Sequence, residues 1–519
     1  VGLMEELLGL YRETRQGPKA VELLEQLVAL PAVQSDPERA IRFHFLLGAC
    51  FADEARADPE QRTRAVAHFN DVLDRDWRQT PAFQALEALL VEAKDWRGLE
   101  ANYVRMLQRL AGNEGTGKAR AVLYRTLADL YQEALADPQA ALEAFKAVTV
   151  LAPDDAAAAE RYANLISQQR GSEDQAIAAW RHALPLLPSM VTGTRTMMRL
   201  HARQKSYDEA YACAQVIAHL LGEGGKDEEE ILERLRPFGR DSATGALTEK
   251  LWREALYHEK LRGPIGGILA VVQAEAGGVF ARDHASLSIQ GRDVRIDRKR
   301  DRVDVATSML FFVNAYRYVA TTLGMEAVEL YKIPGIVGLH LADTWPACLV
   351  AGEELFTDQR PKKELYFQIG RELAWSRPEL SMARLRRRDQ LELIVESAAK
   401  LGDSRLETRF DAATVEKVRR QLAKSISPAG QQRLKSLAAD WARERPDVAG
   451  FLEAADRTAT RTGALLAGDL RVAARGLAEG SGADTAVAEA RRKDLAAFCL
   501  SDAWSRLRKH LGLQVNVPG

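Results

Sequence analysis

The sequence predicts a mostly α-helical protein, in which a solenoid of helix pairs precedes an α+β domain, mainly helical, with a small sheet. Short blocks that begin with a small residue recur through roughly the first two hundred residues, which predicts paired helices. Alternation of apolar and polar residues with period two is confined to short segments after Ser286, which predicts a few strands. From Pro378 to about Leu511 the chain again has a helical pattern.

Length and net charge limit the classes of protein to which the chain can belong. A chain of 519 residues is too long for one ordinary core, so we expect two or more domains. The net charge of −1 argues against a basic nucleic-acid binder, and Arg384 to Arg388 form a basic cluster that either meets phosphate or is a solvated helix end. No apolar run approaches the roughly 20 residues that span a bilayer. We therefore expect no nucleic-acid partner and no membrane span.

The repeated blocks have a defined spacing. They begin at Ala20, Ala65, Gly98, Ala141, Ala176 and Ala210, and the last three lie 35 and 34 residues apart. Small residues let paired helices approach, and Phe145 and Trp180, four positions on, fill the space between repeats. A period near 34 with a small residue in the second helix resembles the tetratricopeptide repeat (TPR) family.

The resemblance implies a binding function for the array. Solenoids of this kind present a concave surface to a peptide or a partner protein, so we expect a protein or peptide ligand in the groove. The candidate residues lie on first helices, and the alternative is that they form a solvated face. They are Arg120, Tyr124, Asp129, Gln132, Arg161, Asn164 and Gln168.

Composition marks the domain boundaries. The run GEGGKDEEE from residue 222 interrupts the repeats, so the array is predicted to span residues 1–222 and a hinge with a connecting helix residues 223–262. Residues 263–519 are predicted to form the second domain. Within it, SLSIQ and VRID flank Gly291 as a predicted hairpin, and residues 327–333 and 347–351 are further strand candidates.

The segment from Phe367 to Glu379, FQIGRELAWSRPE, has the outline of a zinc-peptidase helix. In an HExxH helix, two histidines four positions apart bind the metal and the glutamate activates water. Here the three positions are occupied by Arg371, Glu372 and Trp375. A guanidinium repels Zn²⁺ and an indole offers only an N–H donor, so neither replaces an imidazole.

From about Gly263 to Leu477 the chain resembles the gluzincin metallopeptidases with a GHELGH-type helix, which include membrane-linked heat-shock proteases and periplasmic protease-chaperones. These enzymes take a third ligand from a downstream helix. By that alignment Asp456 stands at the ligand glutamate and Thr460 at its supporting aspartate. The resemblance implies a degenerate metal site. As a whole the chain is similar to helical-repeat proteins of high-GC bacteria, myxobacteria among them, in which an array precedes a degenerate peptidase-like domain.

Other metal ligands are not indicated by the sequence. The nine histidines are scattered singly, and the four cysteines lie far apart without a C-x-x-C pair. We therefore expect no metal, no cofactor and no catalytic residues, and we interpret the chain as a non-catalytic protein-binding scaffold or adaptor. The alternative is a divergent metallopeptidase or hydrolase that uses Glu372 as its general base.

The start of the chain and the spacing of its cysteines each support one expectation. The chain begins at Val1 without the basic and apolar segments of a signal peptide, which suggests a piece of a longer protein. Four widely spaced cysteines are typical of buried thiols in a reducing compartment, so we expect a cytoplasmic location.

Overall fold

A computed structural model describes residues 2–14, 16–55, 58–357, 360–480 and 485–517. The chain divides into two compact units, Val1–Pro188 (unit 1) and Ser189–Gly519 (unit 2). The described residues form 27 α-helices and five short strands, which confirms the mostly α-helical class with a small sheet. Among these helices none has both the length and the apolar character that crossing a membrane requires.

Unit 1 consists of helices joined by short connections. Aspartates precede a proline at the first helical position of three of them, where Asp36, Asp58 and Asp137 accept hydrogen bonds from main-chain N–H groups of the first turn. Proline suits this position because it has no N–H to lose and its φ is already helical. The helices are α1 (Gly2–Glu13), α2 (Gly17–Ala29), α3 (Pro31–Gln34), α4 (Pro37–Glu54), α5 (Pro59–Arg75), α6 (Thr80–Glu92), α7 (Trp96–Leu110), α8 (Gly117–Glu133), α9 (Pro138–Leu151), α10 (Ala156–Ser167) and α11 (Glu173–Ala183), followed by a 3₁₀ turn (Leu184–Leu186).

The helices of unit 1 pack in consecutive pairs, and α4 with α5, α8 with α9 and α10 with α11 are the most closely packed. The repeated small residues Ala65, Ala141 and Ala176 are all fully buried. The aromatic residues four positions later are also buried, namely Phe69, Phe145 and Trp180. The predicted burial of the small and aromatic residues is therefore confirmed in the blocks at Ala141 and Ala176, and the block at Ala65 has the same pattern.

Unit 2 begins with a helix pair that the sequence assigns to the array. This pair is α12 (Val191–Arg203) with α13 (Tyr207–Leu221), and the end of the array at residue 222 stays a prediction. The further helices are α14 (Lys226–Leu235), α15 (Glu249–Leu251), α16 (Pro264–Phe280), α17 (Phe311–Thr322), α18 (Glu354–Thr357), α19 (Lys362–Trp375), α20 (Ser381–Leu385), α21 (Arg388–Gly402), α22 (Ala412–Ser425), α23 (Pro428–Glu444), α24 (Val448–Ala467), α25 (Leu470–Gly480), α26 (Thr485–Cys499) and α27 (Asp502–Leu511).

The predicted hinge and connecting helix is a series of short turns. After α14 it contains a 3₁₀ turn (Arg236–Phe238), α15, a π-helical turn (Trp252–Leu256) and a second 3₁₀ turn (Glu259–Leu261), with no helix over residues 239–248. Tertiary bonds replace a helical ladder here. The indole of Trp252 donates to the carbonyl of Leu323 at 2.8 Å, and the N–H of Leu247 donates to that of Thr322.

Two small sheets lie in unit 2. The predicted hairpin is confirmed as β1 (Leu287–Ile289) and β2 (Arg292–Val294), with positive φ at both turn residues, Gln290 and Gly291. Its second strand lies earlier than the VRID segment, residues 294–297, that the sequence predicts. The second sheet has the order β3-β5-β4, in which β3 (Glu329–Ile333) is parallel to β5 (Cys348–Gly352). The edge strand β4 (Leu339–Ala342) is antiparallel to β5 and was not predicted, because its four residues offer too short a pattern.

Candidate functional site

The motif helix α19 packs closely against α24, and glycines make this possible. A β-carbon at Gly463 would lie 2.6 Å from the carbonyl oxygen of Phe367, and one at Gly370 would lie 3.3 Å from the Cα of Gly463. Both distances are too short for a larger residue without displacement of a main chain. The two glycines therefore fix the distance between the helix that carries Arg371 and the helix that carries Asp456.

Asp456 lies between two arginines at this crossing. Arg371 Nη2 donates to Asp456 Oδ1 at 2.9 Å, and Arg491 of α26 forms an ion pair with Oδ2. The three side chains are between 16% and 22% exposed, so the ion pairs are mostly shielded from solvent. Two guanidinium groups on one carboxylate leave a net positive charge, which disfavours a metal cation at these positions.

Glu372 faces a main-chain donor and a third arginine. Its Oε2 accepts a hydrogen bond from the N–H of Leu341 in β4 at 3.4 Å, and its Oε1 lies 3.7 Å from Arg384 Nη2. The residue is 6% exposed. A cleft of about 890 Å³ runs beside β4 and is lined by Leu341 and Arg384 but not by Glu372.

Trp375 fills the space one turn beyond Arg371. It is 3% exposed, and the guanidinium of Arg384 lies 5.8 Å from the centre of its ring. Within the described residues, the indole N–H has no hydrogen-bond partner, and neither does the hydroxyl of the buried Thr460. The sequence-predicted positions thus come together as two ion pairs, a buried carboxylate and a buried indole.

The basic cluster from Arg384 to Arg388 is neutralised by carboxylates. Arg386 makes a bidentate ion pair with Asp343, which contributes both oxygens. The remaining pairs are Arg384 with Glu372, Arg387 with Asp389 and Arg388 with Glu392. Guanidinium groups engaged in this way are poorly placed to bind phosphate.

Among the described residues of unit 1, an ion pair joins two of the predicted groove residues. Arg161 of α10 makes an ion pair with Asp129 of α8, and its guanidinium lies 5.6 Å from the ring centre of Phe145. Arg120 and Tyr124 are half-buried. The exposed members are Gln132, Arg161, Asn164 and Gln168. These residues therefore lie on a polar helix surface.

A cavity between α5, α6 and α7 was not predicted. Its volume is about 320 Å³, and Val66, Leu86 and Leu90 line it together with Asn102. Asn102 is 4% exposed, and neither its Nδ2 nor its Oδ1 has a hydrogen-bond partner among the described residues. An amide buried in this way costs free energy unless a ligand or water satisfies it.

The sequence contains a signal for this cavity. In the block that begins at Gly98, Asn102 occupies the position that Phe69, Phe145 and Trp180 occupy in three of the other five blocks. The smaller amide leaves space where the aromatic ring fills it elsewhere.

Two histidines that are 24 residues apart in the sequence are neighbours in unit 1. The expectation that every histidine stands alone is therefore wrong. His44 Nδ1 of α4 lies 3.0 Å from His68 Nδ1 of α5. His44 Nδ1 also lies 3.4 Å from Asp71 Oδ2, one turn beyond His68. Burial lowers the pKa of both imidazoles, and the proximity of His44 lowers that of His68 further.

The solved structures that resemble this chain include TPR proteins. YrrB, titled a TPR protein with an unusual peptide-binding site, is 15% identical over 40% of this chain and 96% of its own, with a TM-score of 0.23. The TPR2AB domain of yeast Sti1, in a complex with pHSP90, is 14% identical over 45% and 97%, with a TM-score of 0.19. The P58(IPK) TPR domain is 11% identical over 98% of each chain, with a TM-score of 0.21. We therefore argue function from the contacts of this chain alone.

Neither a protein-family model nor a curated protein matches the chain.

Proposed function

We propose that this protein is a non-catalytic scaffold, in which a TPR-like array binds a peptide or protein and a degenerate gluzincin-like domain has lost its metal site. The observation that supports the loss is Asp456, which pairs with Arg371 and Arg491 where the resemblance places a metal. We also propose a bacterial origin, which the resemblance suggests. It also includes a cytoplasmic location, based on the four widely spaced cysteines, and no nucleic-acid partner.

The chemistry of the degenerate site supports this proposal. Peptide hydrolysis needs an electrophile or an oxyanion stabiliser in addition to a general base. Glu372 is the base that an enzyme of this class would use, yet it is buried and accepts the Leu341 N–H beside Arg384. Arg371 adjoins it in the helix but is engaged by Asp456. We therefore propose that Glu372 is structural.

The cavity at Asn102 supports a peptide ligand. An unsatisfied side-chain amide has one acceptor oxygen and two donor hydrogens, the complement of a peptide group or of a glutamine or asparagine side chain. The apolar walls at Val66, Leu86 and Leu90 favour a ligand that also carries an apolar part. We propose that a peptide inserts such a residue here, while the exposed polar surface at Asn164 and Gln168 is of secondary importance.

The substitution Asn102→Leu tests the binding site. Leucine has a similar shape and removes the unpaired amide, so we expect the free energy of unfolding to rise by about 1 kcal/mol. Peptide binding should be lost at the same time, because the cavity no longer offers hydrogen bonds. We would pan a phage-displayed random peptide library on the wild-type chain and measure the enriched peptides against both proteins by titration calorimetry.

Asn164→Leu is the matched control, because it makes the same chemical change on the exposed surface of α10. The enriched peptides should bind this variant as they bind wild type. If Asn164→Leu lost binding while Asn102→Leu kept it in full, the binding site would lie on the surface of α8 and α10 instead of in the cavity. Failure to enrich any peptide on the wild-type chain would contradict the peptide-binding proposal.

A further inference from the structure

We propose that His44, His68 and Asp71 bind a divalent transition-metal ion of the Zn²⁺ class, which cross-links the two helices of one repeat. These residues are the group of potential metal ligands that the described part of the chain brings together. One ligand atom from each residue lies within 4.8 Å of the others. The site lies in unit 1 and is separate from the degenerate site of unit 2.

The geometry suits a tetrahedral ion. Around a Zn²⁺ ion with bonds of about 2.0–2.1 Å, ligand atoms stand roughly 3.4 Å apart. The two Nδ1 atoms of His44 and His68 are 3.0 Å apart, and the distance from His44 Nδ1 to Asp71 Oδ2 is 3.4 Å. Small side-chain movements would bring all three atoms to bonding distance from one centre.

The helices hold the ligands in place. His44 lies on α4 and is 6% exposed, while His68 and Asp71 are one turn apart on α5, so both α5 ligands face the same neighbour. The ring of Phe51 stacks on that of His68, with centroids 5.6 Å apart and planes inclined by 20°. This packing reduces the rotamer freedom that binding would otherwise remove.

The ligand set selects the class of ion. Two imidazoles and one carboxylate suit Zn²⁺, Co²⁺, Ni²⁺ or Cu²⁺, whereas Mg²⁺ and Ca²⁺ prefer a set of oxygen atoms. Asp71 is exposed and His68 is half-buried, so a water molecule can occupy a fourth position from the solvent side.

The surroundings oppose the ion only in part. The nearby Arg64 is paired with Glu25, and its guanidinium lies 4.0 Å from the ring centre of Phe51. Arg75, which acts electrostatically on His44, donates to the Gln34 side chain. Among the described residues, the buried Nε2 atom of His44 has no hydrogen-bond partner.

The experiment uses the full chain without a histidine tag, stripped with a chelator and exchanged into chelator-free buffer. Co²⁺ is titrated first, because a tetrahedral Co²⁺ centre absorbs visible light, and Zn²⁺ is then used to displace it. Calorimetry gives the stoichiometry and affinity for Zn²⁺ alone. We expect one ion per chain, a tetrahedral Co²⁺ spectrum and a higher thermal unfolding midpoint with Zn²⁺.

Two ligand variants and one control make the result decisive. Loss of a residue that contacts a metal ligand, and not the metal itself, costs about 10–100-fold in metal affinity. His68 is a direct ligand, so His68→Ala should weaken Zn²⁺ binding by more than about 100-fold, and Asp71→Asn should weaken it by at least about 10-fold. His182→Ala removes a single exposed histidine of the same unit and should leave the affinity unchanged. Asp71 is exposed, so its variant keeps the fold even where His68→Ala does not. The proposal is overturned by a wild-type chain that binds no Zn²⁺, or by ligand variants that bind it as tightly as His182→Ala.

Discussion

Replacing Trp375 by alanine is expected to lower the free energy of unfolding of unit 2 by about 3–5 kcal/mol, the usual cost of truncating a buried tryptophan. The indole is 3% exposed and follows Arg371 by one turn on the helix that packs against α24. Its removal leaves a cavity beside the ion pairs of Asp456. Urea unfolding followed by circular dichroism measures the loss.

Trp345→Ala is the matched control, because Trp345 belongs to the same unit but is 45% exposed. Trp345→Ala should lower the free energy of unfolding by less than half as much, because only part of this indole is buried. Equal losses in the two variants would show that Trp375 does not fill the interior of unit 2.

Asp208→Asn is expected to destabilise unit 2 by a similar amount, about 3–5 kcal/mol, because a buried guanidinium would lose its counter-ion. Asp208 of α13 accepts hydrogen bonds from Arg508 of α27 at distances down to 2.8 Å and from the Val515 N–H at 2.9 Å. The two charged side chains are 4% and 6% exposed. The neutral amide keeps the shape of the carboxylate but replaces one acceptor oxygen by an NH₂ donor, so the measured loss reports the charge together with an accepted hydrogen bond. Thermal and urea unfolding of the full chain measure it.

The exposed pair of Asp227 and Arg199 provides the comparison. Their side chains are 62% and 60% exposed and the atoms lie 3.5 Å apart, so Asp227→Asn should change stability by at most about 1 kcal/mol. If Asp208→Asn cost as little stability as Asp227→Asn, the buried ion pair of Asp208 with Arg508 would not be what holds the end of the chain to α13.

The parts of the fold that could be predicted depend on local rules. Helix starts at Asp36 and Asp137 follow from a capping aspartate and a proline that are adjacent in sequence. The hairpin follows from period-two alternation around Gly291. The distance of 2.9 Å between Arg371 and Asp456 was not derivable from composition or period, although the family resemblance singled out both residues.

The parts that escaped prediction depend on contacts between distant residues. Asp208 and Arg508 are 300 positions apart, and no helical period connects them. His44 and His68 lie on different helices, so each resembles an isolated histidine in the sequence. Asn102 is different, because its place in the repeated block shows where an aromatic residue is missing.

The most direct measurement is peptide cleavage by the wild-type chain and by Glu372→Gln. Both proteins are incubated with the peptides enriched by panning, with and without added Zn²⁺, and the peptides are followed by mass spectrometry. A scaffold leaves all peptides intact, and the two proteins bind the peptides equally. Cleavage by the wild-type chain that Glu372→Gln abolishes, with unfolding unchanged, would contradict the account and identify Glu372 as a general base.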